Sequence, residues 1–404
     1  MKGLAICHKG IEDVASQEIE EIIDEVGFCE ERAVVFNTTP EKLAKVTYMA
    51  RSIRRTILLL GRAKISKKYD DTVSLLAKLI DEIKTDEWLK GKSRSPKTFK
   101  VVCKRIGEHD FGSQDVAEKV GELLLDKHNI SSEGKKINKI KVTMLNPDIV
   151  IYVFINEKEL YLGIDFSGLD LSKRDYKIFS TASSLNGAVA YALLRLAKLK
   201  HKDVMIDPFC GSGVIPIEAA LYLKNKSVNF FRKDKLLFTR FADGSNNNHS
   251  MAFDINMNEL SRYDKAFSPE FRIIAYDSQM NMMSATKKNA QIAGVNKVID
   301  ISRVDIEWLD TKLDKGNVDI IATHLPVASK NVSKGIVEKL YKEFFYQAEY
   351  ILADKGTIGI IVEKDDVLKE CLAKLKIDEK FKIIENRELM QGKMAMKIII
   401  LIRK

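Results

Sequence analysis

Cysteine, proline and tryptophan are scarce, and long apolar runs are missing. The 404 residues include five cysteines, seven prolines and two tryptophans. The cysteines (Cys7, Cys29, Cys103, Cys210 and Cys371) are odd in number and widely scattered, and no two have CxxC spacing. That argues against a disulfide framework and a structural zinc site, so no metal is expected. No apolar stretch approaches the roughly 18 residues a membrane helix needs. The opening residues Met1-Lys2-Gly3-Leu4-Ala5-Ile6-Cys7-His8 turn polar too soon for a signal peptide. Seven prolines with 21 glycines exclude collagen-like and low-complexity chains, and no internal repeat is visible. What remains is 45% hydrophobic and 30% charged, a composition that supports a packed core throughout. At about 150 residues per domain, the length suggests two or three domains. The expectation is a cytoplasmic protein with no membrane contact and, in the absence of a coiled-coil seam, a monomer.

The charge is unevenly spread. The net value is +9 and the pI is near 9.0. The first 30 residues hold roughly eight acids to two bases, whereas residues 51–105 hold roughly 16 bases to six acids. The basic cluster includes Arg51, Arg54, Arg55, Arg62, Lys92, Arg94, Lys97, Lys100, Lys104 and Arg105. As a group these residues form a candidate phosphate-binding face.

Three blocks follow from pattern. Residues 1–65 read strand, helix, strand, helix, strand, the order of a small ferredoxin-like α+β unit. Thr39 followed by Pro40 predicts a helix start there. Residues 66–170 read as a second α+β block, with a strand at 98–103 and later strands at 140–144, 149–155 and 159–165. From 171 to 404, strands expected at 203–207, 272–277, 298–302, 318–323, 356–363, 381–386 and 396–403 mostly alternate with helices. That order predicts a doubly wound parallel sheet, closed by an antiparallel hairpin whose connection spans Arg387 to Lys393. Residues 224–270 read as an insertion.

The strongest local signal is Asp207-Pro208-Phe209-Cys210-Gly211-Ser212-Gly213, at the end of an apolar strand. Its glycines let a ligand approach the backbone, and the following helix offers unpaired N–H groups. The third glycine of a dinucleotide fingerprint is absent, with Pro216 at that offset, and Asp207 would repel a pyrophosphate. The ligand should therefore lack phosphate and carry positive charge, which suits S-adenosyl-L-methionine. Asp277, with Ser278 after it, ends the second strand and is placed to accept ribose hydroxyls. Asp305-Ile306 follows the third strand, where the acid could accept from an adenine amino group. The fourth strand runs into His324-Leu325-Pro326-Val327, at the end of an open α/β sheet where reacting groups cluster.

These residues together resemble the THUMP-domain class I RNA methyltransferases, closest to their archaeal tRNA guanine-N2 branch. Thr98-Phe99-Lys100-Val101, Arg105 and His109-Asp110-Phe111-Gly112-Ser113 are similar to the THUMP core. Asp207 to Gly213, with Ile217-Glu218-Ala219-Ala220, is similar to the family's cofactor loop and helix. Ala182-Ser183-Ser184-Leu185 stands where the family lines the methionine end of the cofactor. The resemblance implies three units. Residues 1–65 would be a ferredoxin-like leader, 66–170 a THUMP RNA-binding domain, and 171–404 a Rossmann-like seven-stranded methyltransferase domain with an antiparallel last strand. It further implies S-adenosylmethionine as cofactor and the acceptor stem and 3′ end of tRNA as partner. Lys97, Lys100, Lys104 and Arg105 would then contact phosphates.

One departure bears on the chemistry. The family's tetrapeptide begins with Asn or Asp and ends with Tyr or Phe, whereas here it is His324-Leu325-Pro326-Val327. A neutral imidazole can accept one hydrogen bond or a proton. Valine cannot supply aromatic stacking, which is worth about 1–3 kcal/mol per base. Phe230, Phe231 or Phe241 of the insertion is the expected substitute. Two alternatives stay open: a methyltransferase of the same fold acting on another base or on rRNA, and a tRNA-binding protein with a degenerate site.

Overall fold

In the computed structural model, described residues are 1–84, 97–129, 140–180, 184–240, 260, 262, 264, 270–329 and 332–404. Lys92, Arg94, Ala182, Ser183, Phe241 and most of the insertion beyond 240, for which the sequence raised expectations, lie outside them.

The N-terminal strands follow their apolar pattern. In β1 (Lys2–Cys7), Ala5 and Cys7 join the main core while Leu4 and Ile6 point to the other face. After α1 (Glu12–Ile23) comes β2 (Phe28–Glu30), three residues too short for alternation to reveal. β3 (Ala33–Asn37), α2 (Pro40–Met49) and β4 (Ile53–Lys64) complete a βαββαβ unit. Helix α2 starts as its sequence predicts: the Thr39 hydroxyl accepts from the Lys42 amide at 3.3 Å, and Pro40 occupies the first turn.

The sheet continues beyond that unit. β4 pairs antiparallel with β8 (Glu159–Asp165), which leads through β7 (Ile149–Asn156) and β5 (Lys97–Ile106) to β6 (Ile140–Val142). The result is one eight-stranded sheet in the order β2-β3-β1-β4-β8-β7-β5-β6. Apolar residues of α1, α2, α3 (Tyr69–Glu82) and α4 (Ser113–Asn129), among them Ile19, Val46, Ile80 and Val120, share one core with the sheet. The opposite face carries a smaller cluster of Leu4, Ile6, Ala33, Ile57, Tyr152, Phe154 and Tyr161.

A second sheet has seven strands: β9 (Val204–Asp207), β10 (Arg272–Asp277), β11 (Ile299–Arg303), β12 (Val318–His324), β13 (Leu352–Val362), β14 (Phe381–Gln391) and β15 (Met394–Arg403). Their order is β11-β10-β9-β12-β13-β15-β14. The first five are parallel, and β15 runs antiparallel between β13 and β14. The helices α5 (Gly187–Leu196), α6 (Val214–Leu223), α7 (Met280–Ala293), α8 (Lys334–Ile351) and α9 (Asp366–Lys374) alternate with or precede these strands. Burial on both faces explains the nearly continuous apolar runs of β9 and β10. The late hairpin is longer than its sequence suggests. Arg387 to Gln391 stay in β14, and the turn is Gly392-Lys393, with Gly392 at φ +67°.

The sheets are joined by buried charge. Glu218 on α6 accepts from Arg174 Nε at 2.7 Å and Nη2 at 3.0 Å, and from the Tyr176 hydroxyl at 2.7 Å. Arg174 also donates to the Arg51 carbonyl at 2.8 Å, and Glu18 on α1 accepts from the Arg51 amide at 2.8 Å. Part of the insertion adds a clasp. Asn229 donates to the Thr47 and Tyr48 carbonyls at 3.1 and 2.9 Å, and the Phe238 amide donates to the Phe166 carbonyl at 2.9 Å. Among the described residues no helix is long and apolar enough to cross a membrane.

Candidate active site

The loops after β9, β10, β11, β12 and β13 converge at the carboxyl edge of the parallel strands, where open α/β sheets bind ligands. They enclose a cleft of about 530 Å³. Ser184, Leu185, Asp207, Pro208, Cys210, Gly211, Ser212, Asp277, Ser278, Asp305 and Ile306 all line it, and so do His324, Leu325 and Pro326. Gly213 stands behind the wall. It caps α6 at φ +84°, and a Cβ there would lie 2.6 Å from Thr286 Cγ2. Gly211, at φ +52°, faces open space, so its backbone is free to meet a ligand. Helix α7 pins this turn: Thr286 donates to the Gly211 carbonyl at 2.8 Å, and Asn289 to the Ser212 carbonyl at 2.9 Å.

Three aspartates face the cleft. Asp207 is buried at the end of β9, and its Oδ1 accepts from the Thr323 hydroxyl at 2.7 Å and the Phe209 amide at 3.2 Å. Desolvation pushes its carboxyl up to about 7, and Asp277 adds to the rise. Asp277 accepts from the Gly211 amide at 3.1 Å and the Gln279 amide at 2.9 Å, and burial raises its pKa as well. Asp305 follows β11 and is the third aspartate, and Glu363 lines the cleft as well. At the other end, Ser184 Oγ lies 2.9 Å from Ser212 Oγ, while Lys177 donates to the Ser184 and Leu185 carbonyls at 2.9 and 2.7 Å.

The tetrapeptide is held by its backbone. The Leu325 amide donates to the Ile361 carbonyl at 2.9 Å, and the Tyr341 hydroxyl donates to the Pro326 carbonyl at 2.7 Å. Burial lowers the His324 imidazole to about 4, so the ring is neutral at physiological pH. Its Nε2 is buried without a hydrogen-bond partner and lies 3.9 Å from Glu363 Oε1.

Several lining residues were missed by sequence reasoning. Phe209, Val214 and Gln279 sit inside or beside the recognised motifs. Glu363 follows β13, and an acid just past a parallel strand was a usable signal. Ile336 and Leu340 come from α8, and no local pattern marks them.

Two expectations need correction. Phe230 and Phe231 do not line the cleft. They pack against each other with centroids 4.9 Å apart, beneath the Lys226 ammonium, so they are not placed to stack on a base. Lys97 is only 7% exposed, and burial lowers its pKa, which removes it from a phosphate-binding face. Lys104 is exposed, and Lys100 and Arg105 are partly exposed. Arg105 donates to the Gly107 carbonyl at 2.9 Å. Other members of the basic cluster serve the fold: Arg51 is buried between the sheets, Arg54 pairs with Asp170 at 2.5 Å, and Arg55 pairs with Asp165.

A seven-stranded sheet with an antiparallel β15, an acidic strand end, a glycine turn and a second acid ending the next strand defines a class I methyltransferase domain. Residues 174–393 match the RMKL-like methyltransferase domain family, and residues 71–165 match the THUMP domain. The chain belongs to that methyltransferase family. It is 28% identical over 380 residues to the tRNA (guanine(6)-N2)-methyltransferase of Methanocaldococcus jannaschii, covering 93% of this chain and 94% of that protein. The enzyme of the same name from Archaeoglobus fulgidus is 29% identical over 364 residues, covering 89% and 82%. Among solved structures, TrmN from Thermus thermophilus superposes over 100% of this chain and 99% of its own, with a TM-score of 0.69 and 21% identity. SMU.472, solved with SAH, superposes over 99% and 97%, with a TM-score of 0.77 and 18% identity.

The residues present suit S-adenosylmethionine. Both hydrogen bonds to Asp207 use Oδ1, and a carboxylate raised this far by burial gains from a ligand cation. The open face of Gly211 admits a ligand to the backbone, and Asp277 and Asp305 can accept from a ribose and an amino-purine.

Proposed function

We propose that this chain is an S-adenosylmethionine-dependent tRNA (guanine-N2)-methyltransferase that modifies a guanosine in the acceptor stem. The observation that carries the reading is the gathering of Asp207, Gly211, Asp277, Asp305 and His324-Leu325-Pro326 around one cleft, in a chain that also holds a THUMP domain. The two archaeal relatives named for guanine(6)-N2 methylation of tRNA cover most of its length and support the choice of substrate.

The division of labour follows the blocks. Residues 1–65 and 66–170 grip tRNA, with Lys100, Lys104 and Arg105 at phosphates, and residues 171–404 hold the cofactor and the target base. Phosphate contacts give affinity and register but no sequence information. A guanine within a stem must leave the stack to enter the cleft. When bound, S-adenosylmethionine supplies an electrophilic methyl group. Asp207 would hold its ammonium, Asp277 its ribose and Asp305 its adenine. His324 and the backbone of Leu325 and Pro326 hold the target amino group, and positioning of this kind supplies much of the rate.

The test is methyl transfer from labelled cofactor into unmodified total tRNA and ribosomal RNA, followed by nucleoside mass spectrometry. N2-methylguanosine in tRNA supports the reading. Another methylated nucleoside, or ribosomal RNA as acceptor, moves the chemistry within the same fold. Binding of tRNA and cofactor without transfer would favour the degenerate, non-catalytic alternative, to which His324 and Val327 give their weight.

A further inference from the structure

The resting state of His324 is unusual for a polar residue in a reaction cleft. The side chain is 18% exposed, and the neighbouring Glu363 is 19% exposed. Strands β12 and β13 are paired in parallel, His324 opposite Ile361, which brings Glu363 past the end of β13 to the imidazole. Nε2 is buried with no hydrogen-bond partner, and the charge closest to it is Glu363 Oε1, 3.9 Å away. Nδ1 is therefore the nitrogen left to meet the cleft. A histidine tautomer is set by the bond its second nitrogen makes.

We propose that Glu363 is a positioning residue for His324: its carboxylate, 3.9 Å from Nε2, favours the proton on that nitrogen and so presents the Nδ1 lone pair to the target amino group. This inference rests on the methyltransferase reading of the cleft. It also accounts for histidine at a position where the resemblance leads one to expect Asn or Asp. Asn carries its acceptor oxygen without help, whereas an imidazole accepts at the required atom only in one tautomer.

The pair also answers for the proton. An exocyclic amino nitrogen, once methylated, is cationic and must lose a proton. Nδ1 takes it, and the N–H bonding electrons remain on the amino nitrogen. The imidazolium charge then lies beside Glu363 until solvent removes the proton. A guanine amino group is a weak base, so its methylated cation is a strong acid. An imidazole held near 4 is sufficient to receive that proton.

The experiment is a double-mutant cycle with a spectroscopic arm. Glu363→Ala is made in the native chain and in His324→Asn, with unfolding temperatures to show that each variant folds. In the native chain, Glu363→Ala should lower kcat by roughly tenfold or more with little change in KM for tRNA. In the His324→Asn background it should change kcat less than about twofold. Equal losses in both backgrounds, or no loss in the native chain, would overturn the proposal. The second arm uses ¹⁵N-histidine spectra, which six histidines keep tractable. The His324 ring should be Nε2-protonated in the native chain and lose that preference in Glu363→Ala; identical spectra would overturn the pairing. This arm needs no RNA substrate, so absence of methyl transfer would count against the enzyme reading while the spectra still decide the pair.

Discussion

Asp207 should make cofactor binding dependent on pH, and the size of the effect can be worked from its surroundings. The carboxyl rises from its usual 3.8 to about 7, first through desolvation and then through Asp277. A difference of about three pH units is worth about 4 kcal/mol, at 1.36 kcal/mol per unit. In the free protein Asp207 is half protonated near neutrality. A ligand ammonium favours the charged form, so binding expels a proton wherever the free carboxyl is protonated. Affinity for S-adenosylhomocysteine should therefore climb between pH 5.5 and 7.5, approaching tenfold per unit at the acid end. Calorimetry in two buffers of different ionisation enthalpy should show net proton release over the same window. Asp207→Asn should bind more weakly at pH 7.5 and show neither the slope nor the release. Equal affinity at pH 5.5 and 7.5 with no proton release would refute the reasoning, because the cation would then not be meeting Asp207.

Other consequences are local. Gly213→Ala forces a side chain into a backbone at φ +84° and 2.6 Å from Thr286, so it should destabilise by about 1–3 kcal/mol, read as a lower denaturation midpoint and partly relieved by Thr286→Ala. Glu218→Ala leaves the Arg174 guanidinium buried without its carboxylate and should cost about 3–5 kcal/mol in chemical denaturation. His8 and His324 are both held near 4 by burial, so the unfolded chain binds more protons between about 4 and 6.5. Their contribution is complete above 6.5 and is lost as pH falls through that window, by up to about 3 kcal/mol each; Asp207 acts in the opposite sense. His8→Gln should reduce the loss of stability between pH 7 and 4.5. Replacing Lys104 and Arg105 together should weaken tRNA binding and reduce its salt dependence by about one to two phosphates' worth in a filter-binding series.

The sequence carried the site better than it carried the sheet that supports it. Asp207, Gly211 and Asp277 were legible because strand ends, tight turns and acids leave marks within a few residues. β2 was missed because three residues show no periodicity. The hairpin was read too short because Arg387 and Glu388 look like a loop, although an edge strand with one solvated face accommodates charge. The continuous eight-stranded sheet was hidden because β4 and β8 are about 100 residues apart in the chain. Lys97 reads as a surface cation in any composition count, and only packing shows that it is buried. Glu363 and His324 are separated in sequence and adjacent through parallel pairing, which no local motif encodes.

The most direct measurement of the central claim is transfer of a labelled methyl group into unmodified tRNA, by the native chain and by His324→Ala, with the modified nucleoside identified by mass. The account predicts N2-methylguanosine from the native chain and a loss of turnover in the variant with cofactor still bound. Native protein that binds tRNA and cofactor but leaves every guanosine unmethylated would contradict it.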